Sequence, residues 1–528
     1  MKVATTSYPI FKISKSYFVV SACVLLTFMY LLFLNPYIDV RGFNAHDPAG
    51  YISRAIALWN GKGYGEEFAN RFLPVTIQPI GFSLVLAPLV GLFGVHFVLL
   101  KLYMVFFAVL FSLALYRFFQ YFLSGNEEAL LSVLLTIASP VIFGLSHRVL
   151  ADIPLFLFVV MALVSLDRYL SESTGLFSSQ LWVAAITLGI AYLIKQTAIG
   201  VVFGGWFLLL HSKYRNMDVL KKLLVYSSIC AIPVVAWQIW DSLVPDDLWY
   251  WTTPQVRDFI WKNAFDKSYG FISLSEFLMR VRHNIVWGMS NNLAAVLFAP
   301  LYFTEGSYLG FFLSAPVIVW LFWHWMKSFR KKPSVLEGFV FFSLGLMLIK
   351  YLGMAARYMA VIYPAILVYT FRGFASFPSR LQKHAPRILI ILAFLSTFVV
   401  AIDQYRNPYG SLTLKDYVAA AKEAKKLLPD ESLCAAPLIN HWQVLTGHKC
   451  FYARADAVLG HLESNPATYV TTLSETAIRN LEPFKDVERD ALSQAFELTR
   501  IVEQHPDQFE QIYQNRTFAV FKMVKHGR

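Results

Sequence analysis

Residues 43–64 read FNAHDPAGYISRAIALWNGKGY. An apolar run comes before this stretch, and a glycine-punctuated turn from Gly61 to Tyr64 closes it. Tyr51 and Arg54 follow Asp47 at i+4 and i+7. On a helix the acid, the aromatic and the base therefore share one face. A polar helix set between long apolar segments is expected to be the catalytic loop of a membrane enzyme.

The composition outside this stretch supports that class. The chain has 528 residues, 57% hydrophobic and 16% aromatic, with only 15% charged. A soluble domain carries about a quarter charged residues. Charge is sparse up to Ile402 and common after it, which divides the chain into a polytopic membrane domain (1–402, with a first outer loop at 35–78) and a small domain at 403–528. Apolar runs long enough, or nearly so, to cross a hydrocarbon core of about 30 Å fall at 17–34, 97–122, 129–146, 153–170, 181–194, 197–211, 222–243, 308–326, 336–352, 358–374 and 387–402. Two further runs, 79–95 and 285–303, carry Gly, Pro or Asn breaks and are read as interfacial or re-entrant.

The net charge of +12 does not point to nucleic acid, because the basic residues sit in short groups between spans. With 79–95 not crossing, Lys213, Arg215, Lys221, Lys222, Lys327, Arg330–Lys332, Arg372, Arg380, Lys383 and Arg387 all fall on the cytoplasmic side, as the positive-inside rule requires. The N-terminal run is too long for a signal peptide and no small-residue cleavage site follows it, so it reads as a first span. Cys23 and Cys230 fall inside spans. Cys434 and Cys450 share the C-terminal domain and are either a disulfide, if that domain is extracytoplasmic, or a reduced pair.

On this topology the isolated ionic residues Asp47, Arg54, His147, Arg148, Asp152, Lys195 and Arg357 all lie at span ends on the outer side. Charge at membrane depth is costly and marks function; the bland alternative for each is a snorkelling or helix-end charge. The C-terminal domain reads as α/β: 417–428 has helical periodicity, 432–436 is a short apolar run and 518–524 alternates like a strand. His441, His448 and His461 are read there as surface residues. Residues 244–284, with Trp249, Trp251 and Trp261, form either a lid or acceptor platform, or an interfacial helix with an aromatic belt.

The order of DPAGYISRAIALWNGKGY, QPIGFSLVLAPLVGLFG, SHRVLADIPLFLF, LIKQTAIG and ARYMAVIYP resembles the GT-C glycosyltransferases of the protein-mannosyltransferase and lipid A aminoarabinose-transferase superfamily. The resemblance implies a GT-C fold of about 11–13 membrane helices with an extracytoplasmic α/β domain. It also implies an integral protein of the bacterial inner membrane that moves one sugar from a polyprenyl-phosphate carrier to an envelope lipid, glycan or protein. The family's two carboxylates match Asp47 and Asp152. Two positions depart from the pattern. His46 stands where many protein-mannosyltransferases have a second acid, and Gln78 stands where aminoarabinose transferases have lysine.

The residue types fit this chemistry on their own terms. Displacing a lipid phosphate from an anomeric carbon needs a base for the acceptor proton and cations for the leaving phosphate. Asp47 is the expected base, its basicity raised by partial burial; before Pro48 it is also a natural helix cap. Arg148, Lys195 and Arg357 are the expected phosphate clamp, with Arg54 either a fourth member or a snorkelling charge. Tyr51 and Tyr358 either bind phosphate or sugar, or anchor the interface. The clamp cations can handle a monophosphate, so no metal is required, although Asp47 and Asp152 together could hold one; no other cofactor is expected. The rivals are a transporter or flippase of lipid-linked or small solutes, which would show repeats and mid-span charges, and a structural scaffold.

Overall fold

The structure is a computed structural model that describes residues 46–68, 72–244 (without 77, 124, 147 and 173–174), 257–262, 270–288 (without 287), 308–350 (without 332), 356–406, 412–450 (without 430–431 and 437–438), 468–474 and 491–524. The span expected at 17–34, Cys23, His147, Trp249, Trp251, His461 and nearly all of 285–303 lie outside them.

The quoted stretch folds as α1 (His46–Trp59). Among the described residues Asp47 lies in the first turn of the helix, followed by Pro48. The following turn relies on Gly61 and Gly63, at φ 70° and 95°, a region that costs a side chain strain. It delivers the chain into a small hairpin of β1 (Gly65–Glu67) and β2 (Phe72–Pro74). Then comes α2 (Gly81–Phe93). At about 1.5 Å per residue α2 is near 20 Å long, too short to cross, and it packs beside α1 through an edge-on contact of Tyr51 and Phe82 at 4.8 Å.

The membrane helices follow in order. They are α3 (Phe97–Phe122), α4 (Asn126–Ile137), α5 (Pro140–Ser146), α6 (Asp152–Ser171), α7 (Ser179–Ile194), α8 (Gly200–Phe207) and α9 (Met217–Leu243). After α10 (Leu274–His283) come α11 (Tyr308–Lys331), α12 (Val335–Ile349), α13 (Tyr363–Phe374) and α14 (Ser379–Arg406). Among the described residues α3, α6, α9 and 379–402 are each long and apolar enough to span. The run expected as one span at 129–146 is two helices bent by 68° at Ser139-Pro140, because proline interrupts the helical hydrogen bonds. Exposed Phe106, Ile186, Ile232 and Ile391 give the helices an apolar outer face, as lipid contact requires. Helix α6 is the axis of the bundle, with Ile153, Phe156, Val159, Ala162 and Leu166 all buried. The chain is a multi-pass membrane protein.

The C-terminal region holds a mixed sheet in the order β4-β3-β5-β7-β6, formed by β3 (Leu433–Ala435), β4 (Lys449–Cys450), β5 (Thr468–Leu473), β6 (Phe509–Gln514) and β7 (Phe518–Met523). Side chains alternate between its faces. Ala435 and Val470 pack with Leu498, Ile501 and Val502 of α17 (Ala491–Gln504). On the other face Tyr417 of α15 (Leu412–Leu427) meets Trp442 of α16 (Ile439–Thr446) and Phe518 at 5.6 and 5.3 Å. Cys434 and Cys450 are register partners on neighbouring parallel strands and are both free, buried thiols. His448 is buried, not on the surface as expected, because the turn after α16 folds it inward.

Candidate active site

One guanidinium joins the two carboxylates picked out in the sequence. Arg357, in the helical turn Ala356–Met359 ahead of α13, donates from Nη1 to Asp47 Oδ2 at 2.6 Å and from Nε to Asp152 Oδ2 at 2.7 Å. Lys195, at the end of α7, donates to Asp152 Oδ1 at 2.8 Å. Asp152 is the first residue of α6, so its charge also faces the positive end of that helix. Four segments, distant in sequence, therefore meet at one end of the bundle. Two carboxylates and two cations balance within the cluster, and the space between the acids is filled by Arg357.

The cluster opens to one side. Asp152 is 1% exposed at its side chain, but Lys195 retains 16% and Asp47 26%. Tyr358 lies between two ammonium groups, with Lys195 Nζ at 4.8 Å and Lys350 Nζ at 4.7 Å from its ring centre. Lys350 follows α12 and was read from the sequence only as part of a span; here it adds a third cation on the open side. Arg148 stands in the turn leading into α6, at the same end.

Arg54, expected to be either a fourth phosphate contact or a snorkelling charge, is engaged in a buried ion pair. It is 4% exposed and donates to Glu66 Oε1 from Nε at 3.0 Å and from Nη2 at 2.7 Å. Its Nη1 donates to Gln78 Oε1, and Gln78 Nε2 donates onward to Asp47 Oδ1 at 2.9 Å. A relay thus runs from buried Glu66 through Arg54 and Gln78 to Asp47. Gly50 leaves room for it, since a Cβ there would stand 2.9 Å from Arg54 Nη2. Glu66 was not legible as a site residue: an acid after a turn reads as a solvated loop. Gln78 was legible only as a departure from relatives.

The relay and Arg357 together change the expected state of Asp47. Burial raises its pKa, but the Arg357 charge and hydrogen bond, the Lys195 charge and the Gln78 amide more than offset it, so the carboxyl lies below its ordinary value. The expectation that burial would make Asp47 more basic is corrected: it is a positioned, fully ionised acceptor. Burial, with the Asp47 charge second, raises the Tyr51 hydroxyl well above its ordinary value, so that group stays protonated. Tyr51 is 2% exposed, its ring against Phe82.

The C-terminal region touches this loop directly. Gln443 of α16 donates to the Glu67 carbonyl at 3.2 Å, and Lys449 Nζ meets Glu67 Oε1 at 2.8 Å.

With this geometry in place, comparison with known proteins is informative. Residues 77–240 match the family model described as dolichyl-phosphate-mannose-protein mannosyltransferase. No curated protein sequence matches the chain. Among solved structures, ArnT from Cupriavidus metallidurans bound to undecaprenyl phosphate superposes with a TM-score of 0.62 at 11% identity, over 98% of this chain and 99% of that one. The apo form of ArnT from the same organism gives 0.60 at 13% identity, over 97% and 99%. The oligosaccharyltransferase AglB from Archaeoglobus fulgidus, in complex with an inhibitory peptide and a dolichol-phosphate, gives 0.54 at 12%, over 95% of this chain and 73% of that one. The chain thus has the GT-C fold, and the resemblance to the protein-mannosyltransferase and ArnT superfamily read from its motifs is borne out. It is a multi-pass membrane protein with that fold.

Proposed function

We propose that this protein is a glycosyltransferase that moves a single sugar from a polyprenyl-phosphate carrier to an envelope acceptor (lipid, glycan or protein) on the outer face of the bacterial inner membrane. The observation that carries this reading is the pairing of Asp47 and Asp152 through Arg357, with Lys195 and Lys350 on the open side. That surface combines an ionised acceptor for a proton with cations for a monophosphate. The structural likeness to a protein bound to undecaprenyl phosphate supports the same donor class.

The chemistry follows from the groups. The acceptor hydroxyl gives its proton to Asp47 as its oxygen attacks the anomeric carbon. The bond from that carbon to the phosphate oxygen breaks, and its electron pair leaves with the lipid phosphate. Lys195, Arg357 and Lys350 stabilise the charge gathering on that phosphate. Arg357 contacts both carboxylates, so it links the base to the leaving group. A single displacement inverts the anomeric centre. Asp152 fixes Arg357 and Lys195, and Arg54 with Gln78 holds Asp47, which makes them positioning residues.

Two measurements test this. Purified protein in lipid vesicles is expected to bind undecaprenyl phosphate, raising its melting temperature, and Lys195→Ala with Lys350→Ala is expected to remove that rise. Given a panel of radiolabelled polyprenyl-phosphate sugars, membranes bearing the wild type transfer label to envelope material. Asp47→Asn is expected to transfer at least about 100-fold more slowly with normal expression. Near-normal transfer by Asp47→Asn removes Asp47 as the base.

A further inference from the structure

Successive residues of a strand point to opposite faces, and at β1 the two faces meet different partners. Glu66, fully buried, turns inward and holds Arg54 through Nε and Nη2. Glu67 turns toward the C-terminal region. Its carboxylate meets Lys449 Nζ at 2.8 Å and Lys62 from its own turn, and its carbonyl accepts from Gln443 Nε2 at 3.2 Å. Gln443 is itself held from behind, because its Oε1 accepts from the Cys450 amide of β4 at 2.8 Å. One side-chain amide thus joins the backbone of β4 to the backbone of β1. Helix α16, which carries it, packs against α1 and is seated by Trp442, fully buried with its ring against Tyr417.

The hairpin is built to pass this on. Its strands pair in register from Gly65 with Pro74 to Glu67 with Phe72. Gly65 lets them close, since a Cβ there would stand 2.4 Å from the Leu73 carbonyl oxygen. Gln78 follows shortly after β2, and Tyr64, the residue before β1, donates from its hydroxyl to the Gln78 carbonyl at 2.8 Å. Glu66 and Gln78, the two groups that fix Arg54, therefore hang on one hairpin, and Gln78 also holds Asp47. We propose that Gln443 and Lys449 are positioning residues of the active site: by fixing Glu67 they set the hairpin, and through Glu66, Arg54 and Gln78 they set the place of Asp47. Surface ion pairs anywhere along the interface would serve to attach the C-terminal region. Here the bonds land on the residue next to the start of the relay, and one of them lands on its backbone. The role in transfer rests on the function proposed above; the coupling of Gln443 to the hairpin does not.

Two readouts on the full chain in lipid nanodiscs separate these. Hydrogen exchange followed by mass spectrometry reads the hairpin with no substrate present. Gln443→Leu is expected to speed exchange in peptides covering β1 and β2 several-fold, while peptides covering α6 keep their wild-type rate. Unchanged exchange in the hairpin overturns the proposal, whatever the transfer assay shows. Transfer of label from polyprenyl-phosphate sugars reads the consequence. Gln443→Leu is expected to slow it about threefold to tenfold, the worth of one hydrogen bond. Residues acting through one relay are not additive, so Gln443→Leu with Gln78→Leu is expected to be no slower than Gln78→Leu alone. If the two falls multiply, Gln443 only stabilises the C-terminal region and the proposal falls. Should Gln443→Leu fail to fold, Lys449→Ala carries both tests, because that side chain is 57% exposed, and Lys449→Arg is expected to restore the wild-type behaviour. If exchange changes as expected but the wild type transfers no label, the functional reading fails and the coupling stands.

Discussion

Asp152 and Asp167 belong to the same helix, roughly 22 Å apart at 1.5 Å per residue, and their surroundings are opposites. Asp152 is met by two cations, Arg357 and Lys195, which it shares with another acid and with the open side of the cluster. Asp167 is met by neutral donors: the Val335 amide at 2.8 Å and the Tyr121 hydroxyl at 2.9 Å. Beside it Glu337, fully buried, accepts from Ser328 Oγ at 2.7 Å and from the Ser334 amide and hydroxyl at 2.7 and 2.6 Å. Arg372 stands 3.6 Å from Glu337 and donates to the Phe122 carbonyl at 3.1 Å. That second cluster ties α3, α6, α11, α12 and α13 together and spends its hydrogen bonds internally. Both are buried polar networks, but in the first one guanidinium is shared between two acids, whereas Arg372 in the second, 26% exposed, stands beside the single acid Glu337. Burial, ion pairing and a partly exposed cation therefore do not separate the two networks; the guanidinium shared between two acids does.

Breaking the first network should cost the most. Arg357→Ala leaves two carboxylates facing each other with one ammonium between them. Removing one partner of a buried ion pair costs about 3–5 kcal/mol, so a marked fall in thermal stability is expected together with loss of transfer. Adding Asp152→Asn relieves the repulsion. The double variant is expected to regain stability in a thermal unfolding assay without regaining activity. Recovery of both would place Arg357 on the structural side of the comparison.

The second network should break differently. Glu337→Ala strands the Ser334 amide and the Ser328 hydroxyl in a buried place, at about 1–3 kcal/mol for each unsatisfied group. A lower melting temperature is expected, with transfer per folded molecule unchanged. A loss of specific activity after correction for folded protein would erase the distinction between the two ends of α6.

How much of this was legible depended on what each residue would cost in the wrong place. The spans were readable because lipid demands apolar runs of a set length. Asp47, Asp152, Lys195 and Arg357 stood out because a charge at a span end is expensive and must have a reason. The second network was hidden among the basic residues that topology already explained, as with Arg372. A capping-box signature, Ser334 to Glu337, was the one local signal that pointed to it. Glu66 cost nothing in a polar loop, and Lys350 was absorbed into the run read as a span at 336–352, so only the fold could bring them to the site. The bend at Ser139-Pro140 was missed because hydropathy averages over it.

The smallest expected effect, at Gln78, is also the most discriminating. Gln78→Leu removes the amide that donates to Asp47 Oδ1 and leaves the carboxylate on Arg357 alone. Asp47 then has one donor fewer, and transfer is expected to fall about tenfold, equivalent to about 1.4 kcal/mol. A purely structural role would produce the same fall, but not the same dependence on pH. In the wild type the folded pKa of Asp47 is depressed. Its contribution to stability is therefore complete above the unfolded value of about 3.9 and is lost only as pH falls through the lower folded value. As the proposed base, Asp47 is ionised over the same range, so no acid limb from it should appear between about pH 5 and 7. Losing the Gln78 hydrogen bond removes one of the terms that hold that pKa down, so the acid limb should move upward in Gln78→Leu and remain in place in Glu337→Ala. An unmoved limb in both would show that Gln78 packs the loop without addressing the carboxylate, and the relay from Glu66 would then belong with the structural network at the other end of α6.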